Sequence, residues 1–304
     1  MADVKRAVLR IRTARIISQF ILFLLFNAAM FGFEPLPVLL PVLQSMGTPQ
    51  RVVGDAFAVM QYMLYETTFP LLPLASFIIF AVLSGRLLCG WACPFGFVQD
   101  ILGFLKRKHM EISPRTHKDL LLVKYGILAA VLFISGTIAA TTVLRMGGGY
   151  KTALGIFARA PFNTLSPHDT LFGILPIMTY NAISAEAPFQ DVLGGIGALS
   201  PFFWTRVFIL AIVLVFAFYT PRSWCRYFCP VGAMLALESH FSFLGLKRDV
   251  VRCTKEGCRS CVEACPMKVP ILDLPWEKFT HPECTYCLEC VDACGTKALK
   301  PKFP

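Results

Sequence analysis

Charge is scarce in this chain: only 16% of its 304 residues are Asp, Glu, Lys or Arg, which sets it apart from ordinary soluble domains. Histidine is scarce too. The five present, His109, His117, His168, His240 and His281, all lie outside the long apolar runs, which argues against a bis-histidine haem buried in a bilayer and against a transmembrane electron wire of that kind. His168 and His240 read as solvated or interfacial side chains rather than ligands. No Rossmann glycine fingerprint, P-loop or zinc-protease motif occurs, so nicotinamide binding and nucleotide hydrolysis have no support. The net charge of +10 comes without a nucleic-acid motif and from basic residues that flank apolar runs, so no nucleic-acid partner is expected.

What is abundant is apolar surface, at 56% hydrophobic residues and a mean hydropathy of +0.61. About 20 apolar residues cross a bilayer core, and four stretches qualify: 14–33, 70–88, 120–143 and 202–220. The first could be a signal peptide, but its apolar run from Ile16 is long and no small-residue cleavage site follows, which favours a retained anchor. Residues 171–184 are apolar but short and interrupted by Pro176, so they read as a re-entrant or interfacial piece. Lys5, Arg6, Arg10, Arg12 and Arg15 precede the first span, and Arg86, Lys106, Arg107, Lys108, Arg115, Lys118 and Lys124 surround the connection between the second and third. The opposite connections carry only Arg51, then Arg145, Lys151, Arg159 and Arg206. Basic flanks mark the cytoplasmic side. The expectation is a multi-pass protein of the cell membrane with both termini, and all twelve cysteines, facing the cytoplasm. Thiols there stay reduced, which favours metal ligation over disulfides.

Eight of those cysteines crowd the tail as Cys253-x4-Cys258-x2-Cys261-x3-Cys265-Pro266 and Cys284-x2-Cys287-x2-Cys290-x3-Cys294-Gly295. Both runs approximate the bacterial two-cluster ferredoxin pattern, in which three close thiolates wrap a 4Fe-4S cubane and the fourth crosses over to the other cluster. Cys253, Cys258, Cys261 and Cys294 are thereby assigned to one cluster, and Cys284, Cys287, Cys290 and Cys265 to the other. Zinc is not expected, because its four-cysteine sites pair separated C-x2-C knuckles. Two departures stand out: the four residues between Cys253 and Cys258, and the glycine after Cys294. The wide spacing echoes the plant-type 2Fe-2S pattern, but Cys265-Pro266 and the paired second run favour a bulged loop ahead of a cubane.

The remaining four cysteines form an internal repeat. Cys89-Gly90-Trp91-Ala92-Cys93-Pro94-Phe95-Gly96 ends the second span, and Cys225-Arg226-Tyr227-Phe228-Cys229-Pro230-Val231-Gly232 ends the fourth. Proline disfavours helix in the residue before it and suits the first turn of a new one, so Cys93 and Cys229 are placed at helix-to-helix corners. If the two spans pack together, Cys89, Cys93, Cys225 and Cys229 could bind a third cluster; redox-active thiols beside a quinone, or plain packing of small apolar side chains, are the alternatives. Trp91, Phe95, Trp224 and Tyr227 could line a site for an apolar ring, although aromatics at a membrane surface are ordinarily anchors.

Two C-x3-C-P motifs after membrane helices, followed by a ferredoxin-like tail, resemble the NapH type of membrane ferredoxin; NosR and the CcoG group are similar. Trp224-Cys225 and Cys229-Pro230-Val231-Gly232-Ala233 match especially well, and the resemblance runs from Phe69 onward. It implies an all-α membrane domain of four transmembrane helices with a C-terminal α+β bacterial-type two-cluster ferredoxin domain: a basic cytoplasmic segment at 1–13, the membrane domain with both repeats at 14–245 and the ferredoxin-like domain at 246–304. It also implies an electron-transfer subunit that links the quinone pool to a partner redox system through cytoplasmic 4Fe-4S clusters, within a quinol-linked oxidoreductase complex. The CcoG group suggests a rival, a maturation factor reducing a metal or thiol for another enzyme; a non-catalytic, cluster-bearing anchor is a third reading. The NosR flavin-binding domain has no counterpart here. The long connections 34–69 and 144–201, rich in proline and glycine, read as a docking surface for a partner on the outer face.

Overall fold

The computed structural model describes residues 2–27, 34, 36, 38–45, 53–106, 110, 112–184, 200–254 and 257–303. Helix α1 runs Ala2–Phe26. After a two-stranded parallel ribbon, β1 (Leu39–Leu40) with β2 (Gly54–Asp55), come α2 (Ala56–Tyr65), α3 (Leu71–Ser84), α4 (Leu87–Trp91), α5 (Pro94–Leu105) and α6 (Pro114–Val143). The second half adds α7 (Gly147–Leu154), α8 (Pro167–Asp169), α9 (Leu175–Ser184), α10 (Pro201–Tyr219), α11 (Ser223–Tyr227) and α12 (Pro230–Glu238).

Two of these helices, α6 and α10, are long and apolar enough to cross a membrane by length and composition. The other two expected spans come out differently. The stretch 70–88 divides, because Gly85 takes φ +60° and ends α3; at 14 residues α3 is about 21 Å long, short of a bilayer core. The first helix ends at Phe26, and 28–33 lie outside the described residues. All four helices turn apolar side chains outward, such as Ile17, Phe20, Leu72, Ile79, Phe133, Phe208 and Ile212, and three of them bury polar ones: Arg15 and Gln19 in α1, Ser76 in α3, Lys124 and Ser135 in α6. Burying polar groups and exposing apolar ones is unfavourable in water.

Parts of the two long connections pack inward, while Leu36, Phe69, Leu144, Met146 and Ile156 stay exposed. Asp55 caps α2 by accepting from the backbone N–H groups of Phe57 and Ala58 at 2.8 and 3.1 Å. Val42, Leu43, Phe57 and Phe162 share one core with Cys89, Cys93, Phe95 and Trp224. The expected re-entrant piece is a π-helical turn, Thr170–Ile174, leading into α9, with Pro176 in its first turn. Phe172 packs on Phe23 and Phe95. The stretches 46–52 and 185–199, part of the expected outer docking surface, lie outside the described residues.

The tail is α+β, as the cysteine pattern implied. Strands β3 (Gly245–Arg248), β4 (Lys278–Phe279) and β5 (Leu299–Lys302) form an antiparallel sheet in the order β4-β3-β5. Helices α13 (Ser260–Glu263) and α14 (Glu289–Asp292) each begin one residue before the third cysteine of a run.

Candidate cluster-binding sites

All twelve cysteines are free thiols, and the fold sorts them into three groups of four. Cys253, Cys258, Cys261 and Cys294 line one cavity of the tail. Cys265, Cys284, Cys287 and Cys290 line another, closed over by Leu246, Ile271 and Phe279. The crossover of the fourth cysteine between runs is thus present in the geometry. Cys89, Cys93, Cys225 and Cys229 meet in the helical core, where the four thiols act on one another electrostatically. No group of three His, Cys, Asp or Glu side chains among the described residues is placed to hold a single metal ion.

The donors fit an iron–sulfur cubane. Burial first, and neighbouring thiols next, push Cys93 up to about 12 and Cys225 up to about 11, and Cys229 well above the usual thiol range. Burial likewise raises Cys265, Cys284, Cys287 and Cys290. Such groups hold their protons until a metal displaces them. N–H groups already point at the sulfurs: Gly232 donates to Cys229 Sγ at 3.2 Å, Val269 to Cys265 Sγ at 3.4 Å, Ala298 to Cys294 Sγ at 3.3 Å and the Gln99 amide to Cys225 Sγ at 3.1 Å. Hydrogen bonds to sulfur are among the features that set cluster potentials. A gradient of exposure runs through the three groups, from the buried four of the helical core to Cys258, which is exposed.

Charge around the helical-core group is lopsided. Asp100 pairs with both Arg222 and Arg15, and Glu283 with both Arg86 and Lys124. All four cations are at most 2% exposed. Although burial raises a carboxylate, Arg222 and Arg15 hold Asp100 below its usual range, and Arg86 and Lys124 do the same for Glu283. Arg15 also pairs with Glu289 at 2.7 Å, so these four cations face three carboxylates and one positive charge is left over. Arg86 also donates to the Cys225 carbonyl at 3.0 Å, and Arg222 to the Gly90 carbonyl at 3.2 Å. Cations counted as topological flanks, Arg15, Arg86 and Lys124, are therefore internal struts.

The helical-core repeat and the tail touch without a spacer. A Cβ at Gly90 would lie 2.2 Å from the Thr285 carbonyl oxygen, and the Trp91 indole donates to the Tyr286 carbonyl at 2.9 Å. Thr285 and Tyr286 stand between Cys284 and Cys287. Sequence reading missed Glu283, Asp100, Arg222 and Gln99; a buried carboxylate beside a cysteine run was the available signal for Glu283.

Expectations for His168 and for the four aromatics change, and that for His240 does not. His168, read as solvated or interfacial, is 0% exposed and stacked on Phe162, because the connection that carries it packs inward. His240 is exposed. Phe95, Trp224 and Tyr227 are buried rather than lipid anchors, and Trp91 is tied to the tail. His117 sits in the first turn of α6 and shares a 2.9 Å hydrogen bond with the Tyr227 hydroxyl, while His281 is half-buried and His109 lies outside the described residues.

Comparison with known proteins adds to this geometry. Residues 67–109 and 202–246, the two C-x3-C-P halves, match the family described as a 4Fe-4S binding domain. The chain is 27% identical over 230 residues to the uncharacterized protein MJ0749 of Methanocaldococcus jannaschii, covering 73% of this chain and 66% of that one. It is 27% identical to the methylamine utilization ferredoxin-type protein MauN of Methylobacillus flagellatus (72% and 63% covered) and 25% identical to the ferredoxin-type protein NapH of Haemophilus influenzae (73% and 63%). The matched stretch thus spans about two thirds of these relatives' own lengths or slightly less. No solved structure matches. The resemblance to NapH-type membrane ferredoxins read from the cysteine order is shown by these matches.

Proposed function

From this kinship with ferredoxin-type proteins we propose that the chain is a membrane electron-transfer subunit joining the quinone pool to a partner redox system. Cys253, Cys258, Cys261 and Cys294 hold one 4Fe-4S cluster and Cys265, Cys284, Cys287 and Cys290 a second. Cys89, Cys93, Cys225 and Cys229 hold a third, at the cytoplasmic surface of a four-span domain covering 14–245, with the ferredoxin-like domain at 246–304. The outward-facing apolar side chains of α1, α3, α6 and α10 favour that membrane placement. Each cluster supplies one-electron chemistry when bound.

The observation that carries the reading is contiguity: three four-thiol groups in a row, from a buried membrane-side site to an exposed tail site, with Gly90 against Thr285 at the first junction and α13 against α14 at the second. The one positive charge that Arg15, Arg86, Lys124 and Arg222 keep beyond Asp100, Glu283 and Glu289 suits an anionic thiolate-ligated centre nearby. The family match falls on both halves of the membrane repeat, which favours a cluster there over free redox thiols.

The quinone link is supported by a cleft. Its polar end, lined by His117, Arg226, Lys268 and Cys265, lies between α6 and the tail, and Met110 joins it to an apolar groove along Ile212, Val215 and Phe216 of α10. Met110 is fixed there by donating its N–H to the Tyr219 carbonyl at 3.0 Å. A polar pocket continuous with a lipid-side groove suits a ring with an apolar tail.

Spectroscopy with iron quantification on the purified chain tests both parts. Three clusters are expected in the native protein and one fewer in Cys89→Ser and in Cys225→Ser; two in all three proteins overturns the third site. Native clusters that are neither reduced by a quinol analogue nor oxidised by a quinone overturn the quinone link.

A further inference from the structure

The tail's three-stranded sheet has two unlike faces. Inward, Leu246, Phe279 and Leu299 are buried, and Leu246 and Phe279 line the cavity of Cys265, Cys284, Cys287 and Cys290. Outward, the register sets lysine against lysine. Lys247 pairs with Lys278 on one side and with Lys300 on the other, and Lys302, two residues on from Lys300, shares that face. Gly245 makes room for the row: a Cβ there would lie 2.7 Å from Lys278 Cγ, so the Lys278 chain lies across it. Lys247, Lys300 and Lys302 are exposed and Lys278 is half-buried. Among the described residues none of the four forms an ion pair.

Like charges directly opposite each other in a ladder cost stability. A short sheet that keeps such a row with no counter-charge of its own breaks a local rule, and such breaks concentrate at functional surfaces. At the far end of β3 and β5 the inward pair Arg248 and Leu299, with Arg248 buried and donating to the Ile271 and Leu274 carbonyls, lines the cavity of Cys253, Cys258, Cys261 and Cys294, and exposed cations resume at its rim. Arg259, next in sequence to the most accessible cysteine, Cys258, is exposed, as is Lys297 after Cys294, while the exposed Arg252 pairs with Asp249.

We propose that this basic face docks a small acidic protein that carries single electrons, placing it over the outer four-thiol site of the tail. The proposal rests on the reading of the tail cysteines as cluster ligands. An anionic lipid surface is the competing occupant, but the membrane side of the sheet is its Gly245–Lys302 end, next to the half-exposed Phe243. The exposed cations are not confined to that end: Arg259, next to Cys258, belongs to the opposite end, where the cysteine cavity opens.

The test uses the full chain in nanodiscs of zwitterionic lipid, with two probes: a purified acidic ferredoxin and vesicles containing phosphatidylglycerol. Affinity for the ferredoxin should fall as salt rises, and Lys247→Glu/Lys300→Glu should weaken it about tenfold or more at low salt, as for rim charges that steer association. Arg259→Glu, outside the sheet, should weaken it too, so a disturbed sheet cannot account for the result. Lys247→Ala/Lys300→Ala should keep iron content and a thermal midpoint at or above native, since the repulsion is gone. Equal ferredoxin binding by native and charge-reversed proteins overturns the proposal, as does a reversal that changes vesicle binding alone. Native protein lacking tail iron would overturn the cluster reading, and the binding comparison would still decide the docking.

Discussion

Replacing Gly90 with alanine tests the direct contact between the membrane repeat and the tail. The added Cβ would sit 2.2 Å from a backbone oxygen, that of Thr285, where real Cβ atoms keep at least 3.0 Å. The strain has little room to relax. The Gly90 carbonyl is held by Gln19 at 3.0 Å and Arg222 at 3.2 Å, Arg222 also reaches the Thr285 hydroxyl at 3.3 Å, and Trp91 is bound to the Tyr286 carbonyl. Overpacking of this kind costs about 1–3 kcal/mol, and a stretched hydrogen bond about 1 kcal/mol more. Better helix propensity of alanine returns up to about 1 kcal/mol, so the net loss is about 1–3 kcal/mol. Thermal unfolding in detergent and limited proteolysis of the tail read this, with Gly103→Ala as control, since nothing lies within 4 Å of a Cβ there. Gly90→Ala should lower the midpoint and speed cleavage of the tail while Gly103→Ala is neutral or stabilising. Equal stability and equal protection in the two variants would refute the contact.

Glu283→Gln leaves Arg86 and Lys124 buried without their carboxylate, which should cost about 3–5 kcal/mol; a double-mutant cycle with Lys124→Met should show coupling between the two positions in thermal melts. Asp100 has its folded pKa held below the unfolded value of about 3.9. Its contribution is therefore present above that value and lost as pH falls through the depressed folded pKa, so Asp100→Asn should flatten the acid limb of a stability–pH curve. In the cleft, His117→Ala removes the partner of the Tyr227 hydroxyl and should weaken binding of a quinone analogue measured by fluorescence quenching, with iron content unchanged.

Which tail cysteines share a cavity was legible because their spacings in sequence are short and fixed. The crossover of Cys265 and Cys294 follows from those spacings, and the fold places both accordingly. The helical character of the spans was legible from hydropathy, but their ends were not. Gly85 breaks the second at a turn whose cause is tertiary: a Cβ there would come 3.0 Å from Tyr286, two hundred residues away in sequence. Charge misled for a related reason. A count of flanking cations cannot distinguish one that marks topology from one, such as Lys124, that spends its charge on a distant carboxylate, Glu283. The inward packing of residues 38–45 and 155–175 was invisible because irregular backbone leaves no period to read, and its consequence, the burial of His168, was invisible with it.

The clamp of Glu283 between Arg86 and Lys124 implies an order of biogenesis. The cysteines at 284, 287 and 290 line a cavity with the sheet on one side and the Gly90 corner against Thr285 on the other. On the proposed reading of these cysteines as cluster ligands, iron and sulfide would have to reach them while the tail is still free of the helices, and closure of the clamp would be the last step of maturation. A chain deprived of iron would then keep its tail open to proteases, so cofactor supply would set the lifetime of the protein as well as its electron flow.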